Sequence, residues 1–528
     1  MPEVIESQQQ AIWAEAAGPM REPEPMPSEP EPEREPRLKP VNRKQLLWHP
    51  VDVEKLVGPD HLVRAIWELV GQLDLKGYSA EVGSVEGVAG RPAYDPRLLI
   101  SLWIYAYSQK VGWAREVERR CGYDPAYQWL TGMQVVNYHP SADGADFRVQ
   151  HEKALDELFA QLLGVLSSEG LISLEQVVHD GTKVKASASG NSFHREKTLR
   201  GHLEAARERV REMGDPGQEE SRRRAAARQR AAREKVERLE LALKELEKVQ
   251  AAPEARAEKS EQRVSETDPE ARRMKQSDGG YAPRHNVQIS TDPGHGIIVG
   301  ASVTQAANDQ HELVPAMQEV ERQTGQPPEH LGVDEGYTTR ENILGAAEKG
   351  VDLMGSGMEP DAQATTRRLQ QRGVDPAFYA DQFPYDAATN TYTCPAGKQL
   401  PYQTTKHDRV GVERKVYKAR AADCRDCPFR QQCRPGVQGR RIVRSENVPA
   451  VAAYLAKMRT EAARALYRLR APVAEFSNLW LKTKLGLRQF GVRGLRKVRC
   501  EVLWACLTYN MQQWFRLRWK VRLMPAQA

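Results

Sequence analysis

The sequence has no run of about 18 apolar residues, so no membrane-spanning helix is expected. Its N-terminus lacks a basic segment followed by an apolar stretch. No signal peptide is therefore read, and the expected compartment is the cytoplasm. Cysteine is sparse: seven in 528 residues, an odd number, which argues against a disulfide framework. No internal repeat is apparent. One stretch lacks acids altogether. From Lys482 to Arg499 there are Lys482, Lys484, Arg488, Arg493, Arg496, Lys497 and Arg499, and no Asp or Glu. A solvated surface usually mixes the two signs, so a single-sign run beside apolar helix positions reads as a phosphate-binding surface. The net charge of +6 is modest; its distribution carries the information.

What is present is enough for two or more domains, with 40% hydrophobic and 28% charged residues. Residues 21–36 alternate Glu and Pro, cannot bury apolar surface, and make residues 1–40 an expected disordered tail. Residues 41–170 read as a helical domain. Leu62, Ile66, Leu69, Val70 and Leu73 fall at helical spacing, Asp95-Pro96 opens a second helix, and Phe147 to Leu166 is amphipathic. The rest, 171–528, alternates strands and helices. Strands are expected at Glu175–Asp180, Asn286–Ser290, Ile297–Val303 and Leu331–Val333. A helical insertion spans 195–275, where Val236, Leu239, Leu243 and Leu246 suit a helical hairpin or short coiled coil. Residues 355–390 look loop-rich, and a cysteine-rich insertion occupies 391–445.

Within that insertion, Cys424-Arg-Asp-Cys427 has the spacing by which two thiolates meet one zinc ion. Cys433 follows and Cys394 precedes. Four thiolates would close the coordination sphere, which makes the expected Zn²⁺ structural and gives a zinc-ribbon-like insertion. Cys121, Cys500 and Cys506 read as core residues.

Two aspartates share a context. Asp180 ends Val-Val-His-Asp-Gly and Asp334 ends Leu-Gly-Val-Asp-Glu-Gly, each an apolar strand running into a turn. Such carboxylates project into a cleft and can hold a hard cation, although Asp-Gly is also a common turn pair. Glu475 and Lys482 lie seven apart, two helical turns, and hence on one face. That spacing is too long for a surface ion pair and suits service to a metal and a DNA phosphate.

Taken in order, the motifs Gly90-Arg-Pro-Ala-Tyr-Asp-Pro-Arg-Leu-Leu, His179-Asp-Gly-Thr-Lys-Val-Lys-Ala, Asp268-Pro-Glu-Ala-Arg, Asn286-Val-Gln, Asp334-Glu-Gly-Tyr, Glu475 with Gly486-Leu-Arg-Gln-Phe and Arg493-Gly-Leu-Arg-Lys-Val, and Leu507-Thr-Tyr-Asn510 resemble those of bacterial insertion-sequence DDE transposases of the IS1182-like group, related to the IS4 and IS5 enzymes. The resemblance covers roughly residues 45–515. Two departures stand out. Tyr467, Arg470, Glu475 and Lys482 have two, four and six residues between them, where the related signature has about two, three and six. The link His139-Pro-Ser-Ala-Asp-Gly-Ala-Asp-Phe-Arg148 is longer than the family's.

The resemblance implies an α/β catalytic core of RNase H-like type, a mixed sheet flanked by helices, beside an N-terminal all-helical DNA-binding domain. It implies that Asp180, Asp334 and Glu475 hold two Mg²⁺ ions for DNA cleavage and strand transfer, with Lys482 on a phosphate near the scissile bond. His179 is expected to be structural. The expected partner is double-stranded DNA, both element ends and target, bound through Lys482, Lys484, Arg488, Arg493, Arg496 and Lys497, with Arg115, Arg119 and Arg120 adding recognition. A homodimer is expected in the synaptic complex. The competing readings are a non-transposing nuclease on the same core and a DNA-binding protein that has lost catalysis.

Overall fold

A computed structural model of the chain describes residues 50–80, 93–136, 147–213, 222–251, 261–276, 279–356, 367–407, 413–433, 435–446 and 449–523. The tail expected over 1–40, Gly90-Arg-Pro of the first motif, and residues 139–146 of the long link lie outside them. The described residues from Asp52 onward form one compact unit.

The central sheet is built from β1 (Gln176–Lys185), β4 (Arg272–Lys275), β5 (Tyr281–Asp292), β6 (Ile297–Thr304), β7 (His330–Val333) and β8 (Asp352–Gly355). Its long path runs β6–β5–β1–β7–β8, with β4 pairing the start of β5. β1, β5 and β6 pair antiparallel, whereas β1, β7 and β8 are parallel. This is a mixed sheet flanked by helices, as the resemblance implies. Helices Leu313–Thr324 and Leu495–Trp514 cover β6, and helix Arg470–Thr483 lies on β1 and β5.

The sequence places Asp180-Gly181 in a turn at the end of the first strand. Instead β1 runs ten residues, through both, to Lys185. The reason is β5, which supplies partners from Thr291 opposite Val178 to Arg284 opposite Lys185 and so keeps the backbone extended past Gly181.

The N-terminal helices pack into the same core as the sheet. Asp95 caps Pro96–Ser108 by accepting from Arg97 N–H at 2.8 Å, with Pro96 at the first position. The amphipathic run from Phe147 divides at His151 into Phe147–Gln150 and Glu152–Ser168. Trp504, on the last long helix, donates to the Arg148 carbonyl at 2.9 Å and stacks on Tyr107, and both aromatic rings are buried. The hydrophobic core is therefore continuous across residue 170.

Helices Glu196–Glu212 and Arg222–Ala251 form the expected hairpin. Leu199 and Leu203 of the first meet Leu239, Ala242 and Leu246 of the second in a small separate cluster. At its base β2 (Phe193–His194) pairs with β3 (Val264–Ser265). The cysteine-rich region is an antiparallel sheet in the order β13–β12–β11–β10–β9, formed by β9 (Tyr385–Asp386), β10 (Thr391–Thr393), β11 (Gln399–His407), β12 (Glu413–Lys418) and β13 (Arg441–Glu446). Among the described residues no helix is long and apolar enough to cross a membrane.

Candidate active site

The register of two parallel strands brings the aspartates together. Val178 of β1 lies opposite Gly332 of β7. Two residues further on, Asp180 and Asp334 therefore stand side by side, about one inter-strand spacing apart in backbone, where β7 has ended. Arg470, first residue of its helix, spans them: its Nη2 is 3.4 Å from Asp180 Oδ1 and 3.7 Å from Asp334 Oδ2. Asn478, two turns along, donates from Nδ2 to Asp180 Oδ2 at 3.0 Å. Among the described residues neither its own buried Oδ1 nor Arg470 Nε has a hydrogen-bond partner.

Burial raises the Asp180 carboxyl to about 6. The neighbouring Asp334 adds to the rise, while Arg470 opposes it. A partly desolvated carboxylate beside a second one has a strong demand for a cation. Asp334 is also a turn residue: its Oδ1 accepts from Gly336 N–H at 2.7 Å. Its other oxygen, Oδ2, is the one that faces Arg470. Oxygen donors of this kind suit a hard divalent ion, and the orphaned amide oxygen of Asn478 is a further donor of the same class.

The opposite face of β1 explains Gly181. A Cβ there would lie 2.7 Å from Asp309 Oδ1, 2.7 Å from Gln288 Nε2 and 2.9 Å from the Tyr337 hydroxyl. Gly181 answers a close approach, with no turn involved. Asp309 is held by Asn286 Nδ2 at 2.7 Å and Gln288 Nε2 at 2.9 Å, so the Asn-Val-Gln motif is a clamp. The Gln288 amide oxygen accepts from the Tyr337 hydroxyl and from His179 Nε2. His179 Nδ1 then accepts from Ser290 at 2.8 Å. Burial pushes this imidazole down to about 4, so it is a neutral structural link between β1 and β5.

Glu475 and Lys482 have different surroundings. The Glu475 side chain is exposed and makes no hydrogen bond or ion pair among the described residues. It sits three residues before Asn478, about 140° around the helix from Arg470. The geometry thus joins Asp180, Asp334, Arg470 and Asn478 without Glu475. Lys482 is half-buried, and its ammonium is held below its usual range by burial and by Arg284, with Asp180 acting in the other direction. Sequence reading missed Asn478 and Asp309. Asn478 had a signal in being a polar residue in phase with Ala474 and Leu481 on a buried helix face; Asp309, in a loop after β6, had none.

After the helix the chain returns to the strand. Lys185 N–H donates to the Arg488 carbonyl, and Phe490 N–H donates to the Lys185 carbonyl. The segment that carries the basic run is thereby docked at the end of β1, with Arg493 Nε on the Ser187 carbonyl at 3.0 Å. Lys484, Arg488, Arg493, Arg496 and Lys497 are exposed. Arg499 is not part of that surface, because it pairs with Asp156 at 2.8 Å and Glu152 at 3.3 Å. Asp268-Pro-Glu-Ala-Arg is a helix cap: Asp268 accepts from Gly494 N–H and Glu270 from Leu495 N–H, at the start of the Leu495–Trp514 helix. Of the three N-terminal arginines, Arg119 and Arg120 both bond Glu116.

The four cysteines line one small cavity, of roughly 30 Å³, together with Asp423 and Arg440. Backbone N–H groups of Lys398 and Arg440 point at the sulfurs of Cys394 and Cys424, each at 3.3 Å. Such contacts favour thiolates, the form in which cysteine binds zinc, although no three of the four sulfurs lie within 4.8 Å of one another, so a zinc ion would have to draw them together. Burial and the other three cysteines push the Cys433 thiol up in the absence of a metal, while Arg440 opposes them.

Two family profiles match the chain. One, described as transposase DDE domain, matches residues 393–515. The other, described as transposase domain (DUF772), matches residues 51–144. No curated protein matches significantly.

Proposed function

Because this chain belongs to the insertion-sequence DDE transposases, we propose that it cuts DNA at the ends of its element and joins them to a target by metal-dependent phosphoryl transfer. The observation that carries the proposal is the side-by-side placing of Asp180 and Asp334 by the β1–β7 register, under the helix that bears Arg470, Asn478, Glu475 and Lys482.

In this reading Asp180 and Asp334 hold Mg²⁺ with Glu475 as the third carboxylate. The exposed Glu475 side chain, without a partner among the described residues, is the third carboxylate that the family resemblance supplies. When bound there, two ions would activate the attacking oxygen and neutralise charge on the leaving one. The protein's own part is positioning. Asn478 fixes one Asp180 oxygen. Arg470 holds both aspartates in place before the metal arrives, then offers its charge to a phosphate oxygen. Lys482 lies on the same helix, within electrostatic reach of Asp180, and contacts the phosphate beside the scissile bond. Double-stranded DNA follows the basic run past the end of β1, and two copies of the chain pair the element's ends. The cysteine site takes a structural Zn²⁺ that stiffens the five-stranded sheet.

The test is cleavage of a duplex carrying the element's terminal inverted repeats, with and without Mg²⁺ or Mn²⁺. Wild-type protein should cut and join only with metal, and Asp180→Asn should bind the duplex without cutting it. Cutting by Asp180→Asn at the wild-type rate would refute the proposal. Cutting without joining would favour the nuclease reading.

A further inference from the structure

The base of the helical hairpin carries a set of side chains that DNA cleavage does not use. His194 ends β2, Glu266 directly follows β3, and His202 lies two turns into helix Glu196–Glu212. His202 Nδ1 is 2.7 Å from one Glu266 oxygen, and His194 Nε2 is 3.9 Å from the other. The two imidazoles meet edge to face with centroids 5.2 Å apart. One ligand atom from each of the three residues lies within 4.8 Å of the other two, and no other set of three or more His, Cys, Asp or Glu among the described residues does so.

The scaffold behind these groups is fixed. The β2–β3 pair is locked by Ser192 Oγ and Ser265 Oγ at 2.7 Å, and Ser265 Oγ also accepts from Thr267 and Asp268 N–H. The Glu266 carbonyl accepts from Arg238 Nε of the second helix at 3.1 Å. Three elements thus present two imidazole nitrogens and a carboxylate to one point. Beyond it opens a cavity of about 370 Å³ whose lining includes His202, Glu266, Arg209, Arg228 and Lys235.

We propose that His194, His202 and Glu266 bind a zinc-class divalent transition metal that clamps the helical hairpin to its base strands. Two imidazoles and one carboxylate are a borderline donor set, suited to Zn²⁺ and poorly suited to Mg²⁺ or Ca²⁺. Three protein ligands leave a fourth position on the cavity side, where water or an anionic oxygen completes a tetrahedron. The bond joins residues that are eight apart in one strand–helix unit to a residue beyond the whole hairpin, so it closes the loop made by both helices.

The experiment uses the full chain, stripped with chelator, reloaded with Zn²⁺ and gel-filtered, with zinc counted by mass spectrometry. His202→Ala should hold one zinc per chain fewer than wild type. The Cys424→Ser, Cys427→Ser variant should lose a different zinc, and the combined variant both. A second readout is Co²⁺ added to the cysteine variant: it should give tetrahedral d–d absorption without thiolate charge transfer, abolished by His194→Gln. Equal zinc in His202→Ala and wild type, or no Co²⁺ spectrum in a folded cysteine variant, would overturn the proposal. The zinc difference between wild type and His202→Ala does not depend on catalysis or on the cysteine site, so the failure of one reading leaves the others distinguishable.

Discussion

At the scale of single residues, the site is governed by the cost of placing Asp180 where water is scarce. Its carboxyl, raised to about 6, is protonated as pH falls through that value, and a protonated acid cannot hold a metal. Metal affinity and cleavage should therefore both decline below about pH 6, in a pH–rate profile at fixed Mg²⁺. Arg470 opposes this rise most strongly, ahead of the Gly181 backbone N–H. Arg470→Gln should move the acidic limb to higher pH, which a purely structural role for Arg470 would not do. Asp180→Asn or Asp334→Asn should reduce cleavage by roughly two to three orders of magnitude or more, the scale of losing a main charge-stabilising group, with little effect on duplex affinity. Gly181→Ala forces a methyl against Asp309, Gln288 and Tyr337. Overpacking of this kind costs about 1–3 kcal/mol and should appear as a lower melting temperature with reduced activity.

At the scale of elements, the last part of the chain does two jobs. Helix Arg470–Thr483 supplies the groups over the aspartates, and the segment that follows docks on β1 and carries the basic run. Arg493→Ala, Arg496→Ala and Lys497→Ala together should weaken binding to all duplex sequences and flatten its salt dependence by up to about three counterions. Arg499→Ala is the internal control. Its ion pairs with Asp156 and Glu152 place it against helix Glu152–Ser168, so it should change stability and leave the salt slope alone. Glu270→Ala removes a cap from the Leu495–Trp514 helix and should cost about 1 kcal/mol, read by denaturant unfolding. In the cysteine sheet, Cys424→Ser should release one zinc and lower the melting temperature; unchanged zinc content would mean that the cavity holds no metal.

At the scale of the whole molecule, the N-terminal helices and the sheet share one core. Tyr107 and Trp504 are buried against each other although nearly 400 residues separate them. The strands were legible because they are apolar runs ending in chemistry, and the helices because their apolar positions recur at the helical period. The hairpin was legible from Leu239, Leu243 and Leu246. The extent of β1 was not legible, because it depends on β5 arriving from beyond a long insertion and on a glycine kept for closeness. The Asp180–Asp334 pairing was readable only by likeness to a family, since a register between distant strands leaves no local mark. Arg470 and Asn478 were obscured for the same reason: their partner lies nearly 300 residues upstream.

The central claim is that Asp180 and Asp334 form one metal-dependent site for cutting and joining DNA. Its most direct test is isothermal titration of Mn²⁺ into the chain, alone and with the element's end duplex, followed by cleavage and strand transfer in the same samples. Wild-type protein with duplex should bind Mn²⁺, cut at the element end and join the free end to target DNA. Asp180→Asn and Asp334→Asn should each lose that binding and both reactions while still holding the duplex. Wild-type Mn²⁺ binding and cleavage in either variant would contradict the account.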